Sequence, residues 1–577
     1  MIKKAIAFML AVIMAFTMFG TAFADNERTS GLYTYAIKGN GTITITDYDW
    51  AKSEGDVYIP MMLDGYTVTA IGNNAFADGK QSVIVTLPNS ITMIGEKAFA
   101  NTAITKISIP SSVQSIGTGF VMNCPNLLQI SADPTNANYA SIDGALYHKA
   151  TKTLVAYPVL CKATIPDGIV AIGDYACYGC SFGTTSLKKI LPSSVIKLGD
   201  YSFAHAEFGA EYSNEEERNI VIPECIASVG NYAFESAIIY PGQHIHSGFG
   251  LAGNKVYLNI LENENTIIGE GTFRYVKFYT SYLLYVYVNV AEIPDYAFYN
   301  IKKETSSQYE LRDALMNSTI IVTETVKSVG EMAFVSDKKQ YTSDMIRSIL
   351  LDNPTLSRLG SGAFDYCHVY GKASVISDGM DGNAFSQTKE ERFDYKVPDD
   401  YKYRKSSLSV EIVDNSTVIH HWAFMGCKGL SVQIPKTINN IEDGAFSSTE
   451  IYSIDLQSTT VSVIPQEAFS SSTLQKIQLP PSITEIKARA FANASLLVEI
   501  ELPETLTTIG EEAFIGCAKL SEIQIPNTVT SIGDSAFERT LITLVVEENS
   551  YAALWAQENG YSYRYNGGSS ALDWLNN

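Results

Sequence analysis

Between Leu520 and Phe537 the chain reads LSEIQIPNTVTSIGDSAF, and near-copies of this string recur back through most of the sequence. Aligned on an Ala-Phe pair or its nearest equivalent, the copies place Phe76, Phe99, Phe120, Phe203, Phe234, Phe273, Phe298, Phe334, Phe364, Phe385, Phe424, Phe446, Phe469, Phe491, Phe514 and Phe537 in one column. From Phe424 onward neighbours stand 22 or 23 residues apart. A fixed period of this length predicts stacked repeats rather than independent globules. A chain of 577 residues is long enough for several compact domains or for one such array, and the period selects the array.

One unit shows how a coil is built. In Leu520-x-x-Ile523-x-Ile525 the alternation sends Ile523 and Ile525 inward and Glu522 and Gln524 outward, as in a strand. Pro526 ends that strand because it has no N–H to give to a ladder. The pattern recurs as ITKISIP ending at Pro110, LQKIQLP at Pro480 and LVEIELP at Pro503. Two residues after each proline stands Ser112, Ser482, Thr505 or Thr528, a hydroxyl suited to a backbone bond in the turn. Gly95, Gly117, Gly173, Gly199, Gly230, Gly330, Gly510 and Gly533 mark a bend that a side chain would crowd. Ala and Phe then enter the core. A buried Phe is worth about 2 kcal/mol against exposure, and an isolated coil has no second layer to bury it in, so stacking is obligatory.

These units resemble the BspA-like leucine-rich repeats of secreted and surface proteins, and the resemblance covers nearly all of the chain after its leader. Pro stands here where the leucine-rich consensus has Asn after the strand. The resemblance implies a β-rich α/β solenoid: a right-handed leucine-rich-repeat array with a parallel sheet on one face and short helical or extended turns on the other.

The chain then divides as follows. Residues 1–24 read as a secretory signal peptide: Lys3 and Lys4, an apolar run from Ala5 to Phe19, and Ala22-Phe23-Ala24 before the expected cut. Residues 25–68 read as a β cap, with strands broken at Gly39-Asn40 and Asp64-Gly65. The solenoid runs over 69–546. Within it, GALYHKATKTLVAYP predicts a hairpin projecting from the array at about 139–160. About 205–422 keeps the Phe positions but loses the spacing to Tyr-rich, mixed-charge inserts expected to emerge as loops. Residues 547–565 read as a helix-strand cap, with Ser550 as N-cap, an apolar stripe of Ala553, Leu554 and Trp555, and Gly560 as the stop; 566–577 is expected to be a flexible tail.

The chemistry-bearing residues mostly fall into the repeat register. Cys367, Cys427 and Cys517 each follow the motif Phe by three residues, where other units carry Thr102, Thr449, Ala494 and Thr540. Cys180 shares that column and Cys177 replaces the Phe, so the thiols read as core residues; a Cys177–Cys180 disulfide or metal contact is the alternative. His244-x-His246 and His420-His421 lack the further ligands a metal site wants. Ser194-x-x-Lys197 matches the spacing of penicillin-recognising enzymes but stands in a repeat slot with no companion motif, and Asp399-Asp400 carries nothing in so acidic a chain. No metal, no cofactor and no enzyme activity is expected.

With 62 acidic against 41 basic residues the formal charge is −21, which repels nucleic acid and anionic membranes. No later stretch is apolar for long enough to span a bilayer, and no LPxTG-like signal is written. The sequence therefore points to a secreted or surface-exposed, non-enzymatic binding protein. Its partners would be extracellular proteins, host matrix among them, or glycans or other cells, met by multivalent contact; the resemblance adds adhesion. A self-assembling envelope scaffold is the alternative, and a catalytic site within the irregular centre a third. The candidate contact residues are the outward strand positions Lys106, Ser108, Lys476, Gln478, Glu499, Glu501, Glu522 and Gln524.

Overall fold

The computed structural model describes residues 27–213, 218–241, 255–261, 263–279, 283–304, 318–335, 348–351, 353–364, 367–375, 408–412, 416–427 and 429–566. The leader 1–24, the tail from 567, Phe385, His244 and His246, Asp399-Asp400 and parts of the central inserts lie outside the described residues. The chain forms two compact units, Met1–Phe182 with Lys188–Glu207, and Gly183–Leu187 with Phe208–Asn577.

In the first unit Glu27–Ser30, Tyr33–Ile37 and Thr42–Tyr48 form an antiparallel meander. From there pairing turns parallel: Thr42–Tyr48 joins Tyr66–Ile71, which joins Met93–Ile94 and then Ser115–Ile116. Asp64 and Gly65, at φ 51° and 84°, supply the two left-handed residues of the tight turn between Met62–Leu63 and Tyr66–Ile71. A second parallel ladder runs through Val57–Tyr58, Ile84–Thr86, Lys106–Ile109 and Gln129–Ala132. Each coil thus carries two strands, the long one before the proline and a two-residue one just before the glycine. The single sheet expected from the resemblance has a companion.

The third side of the coil is a stack of turns. Asn74, Phe76 and Asp78 donate their N–H groups to Glu96, Ala98 and Ala100 in the next coil at 3.0, 2.7 and 2.9 Å, while Ala77 closes a local turn onto Asn74. Alternate peptides therefore point along the stack and within the coil, which satisfies the backbone without helix. Most of the described coils hold two left-handed residues here, one two positions before the Phe and one two after it. Asn74 and Asp78, Lys97 and Asn101, Glu512 with Gly516, and Ser535 with Arg539 all show φ between 52° and 71°. For a residue other than glycine such a conformation costs about 1–2 kcal/mol, and the inter-coil hydrogen bonds hold it.

The Phe column is the core. In the second unit Phe234, Phe273, Phe298, Phe334 and Phe364 stack ring on ring at 5.3–5.5 Å with interplanar angles of 4–10°. Phe424 to Phe537 repeat this at 5.1–5.4 Å. In the first unit Tyr48 continues the column past Phe76 and Phe99. One expected member is out of register. Lys97 and Phe99 donate to Thr118 and Phe120, which places Gly119 opposite Lys97 and Val121, not Phe120, opposite Phe99. The backbone keeps its length here, but the ring is written one position earlier after Gly117 than after Gly95, so Phe120 fills the alanine position.

The predicted hairpin does not project. Ala145–His148 and Thr153–Ala156 pair antiparallel as read, but Thr153–Ala156 then pairs parallel with Ala171–Ile172 and so serves as a coil's short strand. Leu146, Tyr147 and Leu154 are buried. The described parts of the central inserts also depart from loops. Lys255–Leu261, Leu283–Val288, Thr319–Val322 and Ser348–Leu351 lie side by side in one parallel ladder, and Lys277–Tyr279 with Lys302–Glu304 pair in another. Their alternating apolar residues, Val286, Val288, Ile320 and Val322 among them, are buried, so the inserts lengthen strands before they leave the coil.

At the end of the second unit Ser550 caps the helix Tyr551–Glu558 by accepting from Ala553 N–H at 3.1 Å. Trp555 rests on Phe537 and stacks on Tyr561. Leu554 is not part of the buried stripe: it is 57% exposed, and Ala552, Ala553, Trp555 and Ala556 are buried instead. Three consecutive residues spread over about 200° of a helix, wider than one buried face, so Ala553 and Trp555 turn inward and Leu554 between them does not.

Candidate binding surfaces

The alternation that drives Ile107, Ile477, Ile500 and Ile523 inward leaves all eight outward candidates exposed. They do not form one patch. Lys106 and Ser108 belong to the first unit, where Ser108 shares a hydrogen bond of 2.9 Å with Ser131 on the neighbouring strand. Lys476 and Gln478 lie on Lys476–Gln478, and Glu499 opposite Lys476 in register; their charges pair at 3.3 Å. Glu501 is exposed just past that strand. Glu522 and Gln524 sit in a further ladder of the second unit, where Arg564 grips Glu522 through two bonds of 2.6 and 3.2 Å. Ion pairs this exposed are screened by water and add little, so the face is polar and solvated, not rigidly built.

The turn hydroxyls behave as read. Ser112, Ser482, Thr505 and Thr528 each donate to a carbonyl of the preceding coil, on Ile91, Val461, Ile483 and Leu506, at 2.6–2.7 Å. Ser194 does the same to Ile169 at 2.7 Å and accepts from Gly168 N–H, which makes it a repeat-turn residue. The glycines before the turn are required by close approach. A Cβ at Gly533 would lie 2.4 Å from Glu511 N, in the backbone of the coil below.

The column that follows the Phe by three residues has a purpose hidden from the sequence. Hydroxyls and thiols of this column donate to Phe carbonyls. Thr102 and Ser472 serve the Phe of their own coil, at 2.7 and 2.8 Å. Cys367, Thr449 and Cys517 reach the Phe of the coil before, at 2.7, 2.6 and 3.2 Å. Ala494 has no donor to give Phe491, and Cys517 of the next coil supplies it. Cys124 joins the same set through Phe99. Burial pushes the Cys124 thiol up to about 11 and that of Cys517 up to about 12. Cys177 and Cys180 are both buried and reduced, with Cys180 thiol against the Tyr157 carbonyl. Cys177 stands in the aromatic column because Phe182 fills the gap from the side, 5.5 Å from Tyr157 and 6.2 Å from Phe203.

Among the described residues no group of three or more His, Cys, Asp or Glu side chains is placed to hold a metal ion. His420 and His421 both approach one oxygen of Glu442, at 3.2 and 3.5 Å, beside the exposed ring of Trp422. No helix among the described residues is long and apolar enough to cross a membrane.

Sequence reasoning missed the aromatics of the turn face. Tyr175, Tyr201, Tyr232, Tyr296 and Trp422 occupy the left-handed position before the Phe, and Tyr275 the one after it, all at φ 52–57°. Tyr175 and Tyr201 stack at 4.9 Å and 3°, with the Lys97 ammonium 4.9 Å from the Tyr175 ring centre. In the second unit the Arg274 guanidinium lies 5.9, 4.8 and 5.6 Å from the rings of Tyr232, Tyr275 and Tyr299. Glu235 stands 3.9 Å from Arg274, and the Tyr232 hydroxyl donates to the exposed carboxylate of Glu270. Tyr232 covers Gly271 of the next coil, where a Cβ would lie 2.2 Å from its ring, and Trp422 covers Gly444 in the same way. The available signal was the Tyr-Ala-Phe and Trp-Ala-Phe spelling in the repeats.

Comparison with known proteins agrees with the geometry. The family model described as a BspA type leucine rich repeat region, in six copies, matches residues 62–154, 156–246, 210–310, 396–498 and 496–554. Among solved structures, a leucine-rich repeat protein from Bacteroides ovatus is 15% identical and covers 93% of this chain and 99% of its own, with a TM-score of 0.32. One from Eubacterium ventriosum is 18% identical over 73% of this chain and 94% of its own, with a TM-score of 0.26. A leucine rich cell surface protein from Faecalibacterium prausnitzii is 16% identical over 96% and 97%, with a TM-score of 0.21. These superpositions are loose and carry no argument. No curated protein matches the chain. The family match spans well over half of the sequence and falls on the coils described above, and the protein is a member of the BspA-type leucine-rich repeat family.

Proposed function

We propose that this protein is a secreted or surface-exposed, non-enzymatic binding protein that attaches to extracellular proteins, glycans or other cells through its repeated surface. One observation carries the reading: polar side chains are presented in register, coil after coil, as Lys476 opposite Glu499 and Lys106 opposite Gln129. Weak contacts repeated at strand spacing add up to avidity without a deep pocket. In this reading 25–68 and 547–565 close the two ends of the array, and Lys106, Ser108, Lys476, Gln478, Glu499, Glu501, Glu522 and Gln524 are contact residues of the strand face.

The test is binding of the chain from Asp25 onward to panels of matrix proteins, glycans and whole cells, beside a variant with the inserts between His205 and Trp422 trimmed to repeat length. Saturable binding lost on trimming places recognition in the insert-bearing coils; binding retained moves it to the strand face. Self-association with no binding to any panel replaces the reading with that of a self-assembling scaffold.

A further inference from the structure

The left-handed turn positions need no aromatic ring. Asn74, Glu467, Glu512 and Ser535 fill the place before the Phe in other coils, and Asn101, Ser448, Ser471 and Asn493 the place after it. Asn is among the residue types that this backbone tolerates best after glycine, and Ser is small. Five tyrosines and one tryptophan stand there nonetheless, with bulky rings that the conformation disfavours. Backbone strain kept where the fold has a cheaper choice points to display of the side chain.

The chemistry displayed is that of a cation receptor. Among the described residues two cations of the chain itself lie over rings of this face: Lys97 at Tyr175 in the first unit, and Arg274 among Tyr232, Tyr275 and the neighbouring Tyr299 in the second. Arg274 spreads the second cluster, and carboxylates border it, with Glu270 exposed and bonded to Tyr232, and Glu235 near the guanidinium. Ring faces and carboxylates both attract positive charge. The formal charge of −21 draws the same class of partner from a distance. Tyrosine also presents a large, rigid contact area with few torsions to freeze, which suits it to protein surfaces.

We propose that the tyrosine cluster around Arg274 is a docking surface for lysine- and arginine-rich segments of extracellular proteins. This rests on the reading of the chain as a binding protein and names the partner class. A neutral glycan stacking on the rings is the rival, and the experiment separates them.

The full chain from Asp25 onward is immobilised and titrated with a synthetic Lys/Arg-rich peptide, with the same peptide carrying Gln at every cationic position, and with neutral polysaccharides. The variant Tyr232→Ser with Tyr275→Asn and Tyr296→Ser, the last with its ring 6.0 Å from that of Tyr299, takes residues that other coils already carry in these columns, and its circular dichroism checks that the array is intact. The expected result is saturable, salt-sensitive binding of the cationic peptide alone, weakened about tenfold or more in the Ser/Asn variant. The corresponding triple Phe variant, which keeps the rings, retains it. Equal binding by the wild-type chain and the Ser/Asn variant overturns the proposal, since any acidic surface would then suffice. Binding of a polysaccharide in place of the peptide, lost in the Ser/Asn variant, overturns it in favour of the glycan. If panel ligands bind but the cationic peptide does not compete with them, this inference falls alone; if no panel ligand binds, the broader reading falls with it.

Discussion

Replacing Phe469 by Ala tests whether the ring column holds the array together. Phe469 is fully buried, 5.4 Å from the Phe446 ring at 7° and 5.3 Å from the Phe491 ring at 12°. The lost transfer energy and the cavity together cost about 3–5 kcal/mol. We place the loss near 4 kcal/mol, because the hole has little freedom to collapse. Ser453–Asp455 against Lys476–Gln478 and Val463–Ile464 against Glu485–Ile486 fix the coil spacing on two sides, and the Phe469 N–H bond to Ala490 at 2.8 Å fixes it on the third. Two offset ring contacts, about 0.5–1.5 kcal/mol each, are part of that sum.

Because each coil touches only its neighbours, the damage is local and global two-state analysis is unsafe. A reporter at the near end is needed. Trp555 rests on Phe537 and Tyr561, so in a background with Trp50, Trp422 and Trp574 changed to Phe its fluorescence follows the last coils. Urea titration of that background with and without Phe469→Ala gives the difference directly, and limited proteolysis locates the opening. A loss below about 1 kcal/mol would refute the reasoning, since it would mean that the strand ladders carry the coils and the rings merely fill space.

Other substitutions probe other columns. Cys177→Phe restores the repeat consensus yet is expected to destabilise by about 1–3 kcal/mol, because Phe182 already occupies that volume; a thermal melt showing gain of stability would contradict it. Cys517→Ser keeps a donor for the Phe491 carbonyl, whereas Cys517→Val removes it and costs about 1–3 kcal/mol more, read from paired urea curves. Native alkylation at pH 8 followed by mass mapping labels the partly exposed Cys161 ahead of Cys124 and Cys517, whose buried thiols stay protonated; equal labelling would show that those coils open. Ser550→Ala strips the cap from Tyr551–Glu558 and costs about 0.5–2 kcal/mol, seen as faster proteolysis at the end of the second unit.

What was legible in the sequence was whatever repeats. The period, the inward Ile523 and outward Glu522, the strand-ending prolines, the turn hydroxyls and the Phe column all follow from matching one coil to the next, and each copy strengthens the reading of the others. What was hidden depends on departures from the period. A ring written one position early after Gly117 stands in the alanine column and leaves Val121 as the filler, a shift that alignment on Phe conceals and the backbone ladder exposes. The hairpin at Ala145–Ala156 looks like an outgrowth until its second strand is seen in a coil's own place, since pairing across coils is a long-range fact that local alternation does not encode.

The candidate surfaces divide along the same line. Outward strand positions come directly from two-residue alternation, which is why all eight are exposed, but alternation says nothing of which partner faces them; Lys476 finds Glu499 and Glu522 finds Arg564 only once register is known. The turn aromatics are harder still. A left-handed backbone at Tyr232 or Tyr296 has no sequence signature, because glycine, which would announce it, stands at Gly271 and Gly444 in other coils of the same column. Those glycines are where the neighbouring ring lies, so in these coils a residue that projects an aromatic stands beside one that makes room for it. A repeat sequence that records only sameness from coil to coil therefore describes the scaffold, and the turn aromatics stand in the positions where the coils differ.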